Sequence, residues 1–338
     1  MNRALHITPE GVGWAPLPTP TLTDPHEAIV RPIAVTFCDF DLRLFSGDLR
    51  VTAPTPLGHE GVAEVLEAGA ESGVTPGDIV SVSYMIACGR CDRCAADLRT
   101  SCRAVPRGAM FGAPGQQWGC LLADVVKIPY ARSMLTLLPK TLPAQAFVGL
   151  SCNLPIVCEA LSPHLTADPT TPVLVVGGVG GLGLYAVATA LALGARHVDY
   201  VAAHGRGTET AAELGARVIP APPTGEYGLA VVASAEPTVL VSALRALRPE
   251  GTCEAIGALR GSADLPLGEL YARGVTLRLS RNASQESALR ALELTALGRL
   301  QIETIHGEAL PWEALPEALT APAPKPVFVR ARTTPTVS

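Results

Sequence analysis

The stretch from Val173 to Ala195 constrains this chain more than any other. It is almost wholly apolar and long enough to span a bilayer, yet Gly177, Gly178, Gly180, Gly181 and Gly183 crowd its first half. Glycines so placed would break a membrane helix at its start, because glycine loses more backbone freedom in a helix than any other residue. A short buried strand, a glycine turn and a buried helix explain the run better. The strand Val173-Leu174-Val175-Val176 leads into Gly178-Val179-Gly180-Gly181-Leu182-Gly183 and then an Ala/Leu-rich helix. In that context G-x-G-x-x-G has a mechanism: a tight turn, close backbone approach to a pyrophosphate, and packing of the helix on the strand. The helix start adds N–H groups and a positive dipole end. The motif predicts a dinucleotide held at Gly178, Gly180, Gly181 and Gly183, the competing reading being a glycine-rich packing turn.

Around this motif, strands alternate with helices from about residue 172: strand 173–177, helix 181–193, strand 197–203, helix 207–214, strand 229–233, helix 237–247, strand 252–257. A strand near 275–280 and a helix near 285–298 follow. Such alternation predicts a doubly wound parallel sheet of Rossmann type. Residues 1 to about 150 read instead as short strands (Ala28 to Val35, Gly61 to Leu66, Ile79 to Val82, Asp124 to Ile128) punctuated by proline and glycine. The fold class is therefore α/β, a β-rich domain joined to a parallel-sheet domain. Thr333 to Ser338 are expected to fray.

An acidic residue closing the second strand of such a sheet binds the ribose hydroxyls of NAD. Here the strand His197-Val198-Asp199-Tyr200-Val201 runs into Ala202, Ala203, His204, Gly205 and Arg206, with no carboxylate at its end. His204 and Arg206 suit a 2′-phosphate, which a carboxylate would repel, so NADP(H) is expected, contacted by Ala202, His204 and Arg206. The alternatives are that Arg206 is a solvated loop residue and that Asp199 takes the acidic role through a register shift.

Four cysteines lie within fifteen residues, Cys88-x2-Cys91-x2-Cys94-x7-Cys102. Two-residue spacing lets one tight turn, here containing Gly89 and Arg90, bring two sulfurs to one ion, and four thiolates complete the tetrahedron of a structural zinc. A disulfide framework or unrelated buried thiols are the other readings. A net charge of -5 argues against a nucleic-acid-binding zinc ribbon. With 48% hydrophobic and 17% charged residues the composition is that of a globular protein. The N-terminus lacks a signal-like apolar segment, so a cytoplasmic protein with neither membrane nor nucleic-acid partner is expected.

Cys38, Gly58-His59-Glu60 and Cys152 are each unremarkable alone. Together with the cysteine lobe, the glycine turn, Pro76-Gly77-Asp78, Leu214-Gly215-Ala216 and Arg248-Pro249-Glu250-Gly251, they resemble the zinc-containing alcohol dehydrogenases of the medium-chain dehydrogenase/reductase superfamily along almost the whole chain. The resemblance implies a GroES-like catalytic domain over 1–155, completed by 296–338, and a Rossmann domain over 156–295. It also implies a catalytic zinc on Cys38, His59 and Cys152 beside the structural one, with Glu60 as the neighbouring glutamate that can approach the ion. Asp41 matches an aspartate expected to orient His59, and Tyr84 a residue lining the substrate pocket. The expected activity is hydride transfer between NADP(H) and a small alcohol or carbonyl substrate, in a homodimer or homotetramer.

The chain departs from the family pattern where Phe40 replaces the Ser or Thr that relays the alcohol proton, a step no phenyl ring can perform. Arg43, standing where some members have a relay histidine, stays protonated. Water, Glu60 or Tyr84 would then carry the proton, or the substrate is an iminium or activated alkene. A remoter alternative is a catalytically lapsed, nucleotide-binding redox sensor. Glu159 replaces a family histidine with no evident mechanistic reason.

Overall fold

A computed structural model describes residues 2–9, 11–49, 51, 54–140, 142–203, 207–222, 224–318 and 325–331. The chain divides into two compact units, one of residues 1–37, 43–151 and 306–338, the other of residues 38–42 and 152–305.

The first unit is β-rich. Its seven-stranded sheet runs in the order Leu310–Pro311, Val327–Val329, Ala28–Thr36, Glu60–Ala68, Ile79–Val82 and Leu135–Leu137, with Val126–Ile128 also pairing Ala28–Thr36. Ala28–Thr36 and Glu60–Ala68 are antiparallel with Thr36 opposite Glu60, and their register shifts between Pro32 and Ala34. Proline offers no N–H to the ladder, so an irregularity there accommodates it. Val30, Val65, Val80, Phe111 and Ile128 fill the core. A three-stranded sheet of Gly11–Leu17, Asn2–Thr8 and Thr55–Pro56 completes the unit, and its first two strands have no counterpart among the strands read from the sequence.

The second unit holds a six-stranded sheet in the order Arg217–Val218, Val198–Ala202, Val173–Gly177, Tyr227–Val232, Leu247–Ala255 and Thr276–Leu279, each strand parallel to its neighbours. Numbered by sequence this is 3-2-1-4-5-6, the Rossmann order, in which the direction of winding reverses beside the first strand. The glycine turn follows Val173–Gly177, at the carboxyl end of that strand. The apolar run thus resolves into a strand and the helix Leu182–Ala192, nearly all of it buried. Among the described residues no single helix is long and apolar enough to cross a membrane.

One long helix escapes the sequence pattern. Asn153–Ala167 is largely buried and carries Pro163 in its interior. Glu159 on this helix accepts hydrogen bonds from Ser284 Oγ and, at 2.6 Å, Ser287 Oγ. Ser284 is the N-cap of Gln285–Ala296 and accepts from the Ser287 N–H at 3.1 Å. The glutamate standing where the family pattern has histidine thereby fastens two helices together.

Candidate functional site

The four sulfurs of Cys88, Cys91, Cys94 and Cys102 lie within 4.8 Å of one another, close enough to share one tetrahedral ion. Gly89 makes the turn between the first two possible. Its φ of 74° is left-handed, and an added Cβ would come within 2.6 Å of Ser133 Cβ. Backbone N–H groups already point at the sulfurs, Cys88 N–H at Cys102 Sγ (3.4 Å) and Arg103 N–H at Cys91 Sγ (3.5 Å). Donation from Arg103 and Cys94 draws the Cys91 thiol down to about 6, whereas burial pushes Cys94 up to about 12. Buried Arg99, within the lobe between Cys94 and Cys102, donates to the Ser133 carbonyl and ties the lobe to the chain outside it.

A second cluster gathers Cys38, His59, Glu60 and Cys152, all buried, with one ligand atom from each within 4.8 Å of the others. Its assembly follows from local structure. Because Thr36 pairs with Glu60, the chain just beyond the end of one strand lies beside the chain just before the start of the next, so Cys38 and His59 meet. Gly58, with a φ of 91° and Leu122 Cγ 2.2 Å from a would-be Cβ, turns the chain into His59. Cys38 precedes the helix Asp39–Phe45, and fully buried Asp41 accepts its N–H at 2.9 Å, the reach-back of a capping box. Cys152 is the N-cap of Asn153–Ala167, where the positive dipole end favours a thiolate. Ser151 Oγ donates to the Gly61 carbonyl (2.7 Å) and accepts the Gly61 N–H (2.9 Å), tying the segment before Cys152 to the strand after His59.

Around this cluster stand Asn153 and Lys325, which no sequence motif revealed, and the anticipated Tyr84. Asn153 Nδ2 donates to Cys38 Sγ at 3.4 Å, stabilising negative sulfur. Lys325 Nζ lies 2.6 Å from Glu60 Oε2 and donates to the Phe37 carbonyl at 2.9 Å, with both side chains fully buried. The ammonium compensates a carboxylate that burial alone would penalise heavily. Tyr84 is buried beside His59, ring centroids 5.8 Å apart and planes tilted by 49°. Two thiols, an imidazole and a carboxylate converging on one point form a donor set suited to zinc, and three of these residues form the Cys2His set of a zinc site that keeps a position open.

The glycine turn is built as its motif requires. An added Cβ on Gly183 would sit 2.8 Å from Gly177 Cα, so the helix packs directly on the strand, and one on Gly177 would collide with the Tyr200 hydroxyl. Burial and the charge of Asp39 push the Tyr200 phenol up to about 12. The register-shift alternative for Asp199 does not hold. That side chain is fully buried near the start of the strand, away from its carboxyl end, taken by Arg217 (2.8 and 2.6 Å) and the Tyr227 hydroxyl (2.5 Å). Burial would raise its pKa, yet these bonds outweigh burial and hold it below the usual carboxylate range. Ala202 closes the strand, while His204 and Arg206 lie outside the described residues. The expected fraying of Thr333 to Ser338 likewise falls outside them.

Residues 24–140 match the alcohol dehydrogenase GroES-like domain. The protein named "Probable zinc-binding alcohol dehydrogenase" of Mycobacterium tuberculosis is 30% identical over 306 residues, 87% of this chain and 78% of that one. An alcohol dehydrogenase of Rhizobium meliloti is 28% identical across 84% of both chains. Among solved structures, alcohol dehydrogenase TADH from Thermus sp. ATN1 superposes with a TM-score of 0.86 at 28% identity, covering 97% of this chain and all of that one. A GroES-like unit and a Rossmann sheet in one chain define an α/β oxidoreductase of medium-chain architecture. Within that class, the chain belongs to the zinc-type alcohol dehydrogenases of the medium-chain dehydrogenase/reductase superfamily.

Proposed function

We propose that this protein transfers hydride between NADP(H) and a small alcohol or carbonyl substrate, using a zinc held by Cys38, His59 and Cys152. The convergence of these three residues and Glu60 on one buried point carries the reading. When bound, zinc stabilises negative charge on a substrate oxygen and nicotinamide exchanges hydride with the adjacent carbon. A second zinc on Cys88, Cys91, Cys94 and Cys102 secures the lobe.

The protein's own groups do the positioning. Asp41 fixes the backbone of Cys38 and, in this reading, orients His59; Asn153 supports the Cys38 sulfur; Lys325 pairs with Glu60 and holds its carboxylate in place. Preference for NADP(H) is supported by Ala202 at the strand end and by Asp199 being committed to Arg217 and Tyr227; His204 and Arg206 would receive the 2′-phosphate. A homodimer or homotetramer in the cytoplasm, with no nucleic-acid or membrane partner, belongs to the same proposal.

Phe40 supports a second reading, reduction of an iminium or activated alkene, because a phenyl ring cannot relay an alcohol proton. Beside His59, Tyr84 is the candidate donor for either reaction. Purified protein is offered NADPH or NADH with ketones, aldehydes, enals and cyclic imines. Faster carbonyl turnover with NADPH is expected. Turnover of imines or enals alone replaces the first reading by the second, and the absence of single-turnover hydride transfer to any of them rejects both in favour of a lapsed enzyme.

A further inference from the structure

The glycine turn already holds an anion, and the anion is part of the chain. The Gly180 N–H donates to Asp39 Oδ2 at 3.0 Å and the Leu182 N–H to Asp39 Oδ1 at 3.3 Å. Built onto the backbone, a Cβ at Gly180 would lie 2.5 Å from Asp39 Oδ1, and one at Gly178 would lie 3.0 Å from Asp39 Oδ2. The carboxylate therefore fills the space that the missing side chains leave above the turn. Leu182 opens an eleven-residue helix, so these donors sit where the dipole is positive. They are the same donors that a G-x-G-x-x-G turn offers to a pyrophosphate.

Two anions cannot share one pair of N–H groups. A diphosphate entering the turn meets a like charge within contact distance, which opposes binding strongly where water is thinned out. The backbone of Asp39 is anchored on one side, because Asp41 caps the Cys38 N–H two residues away, so its side chain is the part left to yield. The position adjoining Cys38 thus carries a carboxylate aimed at the phosphate cradle.

We propose that Asp39 is an internal competitor for the cofactor diphosphate: its carboxylate stands in for a phosphate at the turn, and a dinucleotide binds only by displacing it. The inference rests on the reading of the glycine turn as the dinucleotide site, and it makes Asp39 a determinant of cofactor affinity. The carboxylate keeps the turn formed when no cofactor is present and sets a threshold concentration for loading.

The test measures binding without turnover. Wild type, Asp39→Asn, Asp39→Ala and Asp39→Glu are titrated calorimetrically with NADP+ and with ADP, which carries the diphosphate but no nicotinamide. Circular dichroism confirms that each is folded. Asn matches the shape of Asp without its charge, and Glu keeps the charge. Asp39→Asn and Asp39→Ala are expected to bind both ligands about tenfold or more tightly than wild type, and Asp39→Glu no more tightly. Equal or weaker binding by the neutral variants overturns the competitor role while leaving the dinucleotide site intact. Failure of all four proteins to bind either ligand overturns both.

Discussion

At the scale of single residues, the second cluster depends on where three side chains leave regular structure. Cys38 stands at the start of a helix, His59 just before a strand and Cys152 at the cap of another helix. All three are buried, and hydrogen bonds hold the chain beside them, Asp41 to the Cys38 N–H and Ser151 to Gly61. Cys38→Ala should therefore leave the fold and the four-thiol lobe intact. Metal analysis is expected to show zinc retained by the lobe and lost from the second cluster, while steady-state turnover falls roughly 100-fold or more. Full retention of both metal and rate would remove Cys38 from the ligand set. These ligand candidates were legible in the sequence because their types and order match a family pattern. Asp39 and Asn153 were not, since a motif describes its own residues and says nothing of a side chain brought to it from more than a hundred positions away.

At the scale of elements, the strand Val198–Ala202 shows how a buried charge is tolerated. Asp199 is fully buried on the strand next to the sheet's edge strand and remains ionised because Arg217 and Tyr227 bind it. Its pKa is lowered on folding, so its contribution is full above the unfolded value of about 3.9 and is lost as pH falls through the folded value. Asp199→Asn should cost about 2 kcal/mol at pH 7, and urea melts should show the gap between variant and wild type narrowing below about pH 4. A gap independent of pH would mean that shape, not charge, matters there. The sequence made this strand visible but not the role of its carboxylate, because burial within a sheet is a property of the neighbours. Asn153–Ala167 escaped for a different reason: Pro155 and Pro163 mimic loop punctuation, although the first falls in the opening turn, where proline is tolerated.

At the scale of the whole molecule, Lys325 joins the C-terminal part of the chain to Glu60 near its beginning. Neither charge is exposed, and each is the other's compensation. Lys325→Met would strand the Glu60 carboxylate, at a cost of about 3–5 kcal/mol. Pairing it with Glu60→Gln should recover part of that loss in thermal or chemical melts. A double variant as unstable as the single one would show that the lysine acts through its contact with the Phe37 carbonyl instead.

The amino-acid sequence by itself determined the parallel-sheet architecture, the glycine turn and the four-thiol lobe. In all three the determining residues are close together in the chain, and short-range geometry translates spacing into structure. Only the tertiary structure decided that Glu159 ties two helices, that Asp199 is spoken for by Arg217 and Tyr227, that Lys325 pairs with Glu60, and that Asp39 accepts from the backbone of the glycine turn. Those facts depend on which distant side chains share a low-dielectric space, where an ionised group must find a partner, and linear order does not encode that proximity.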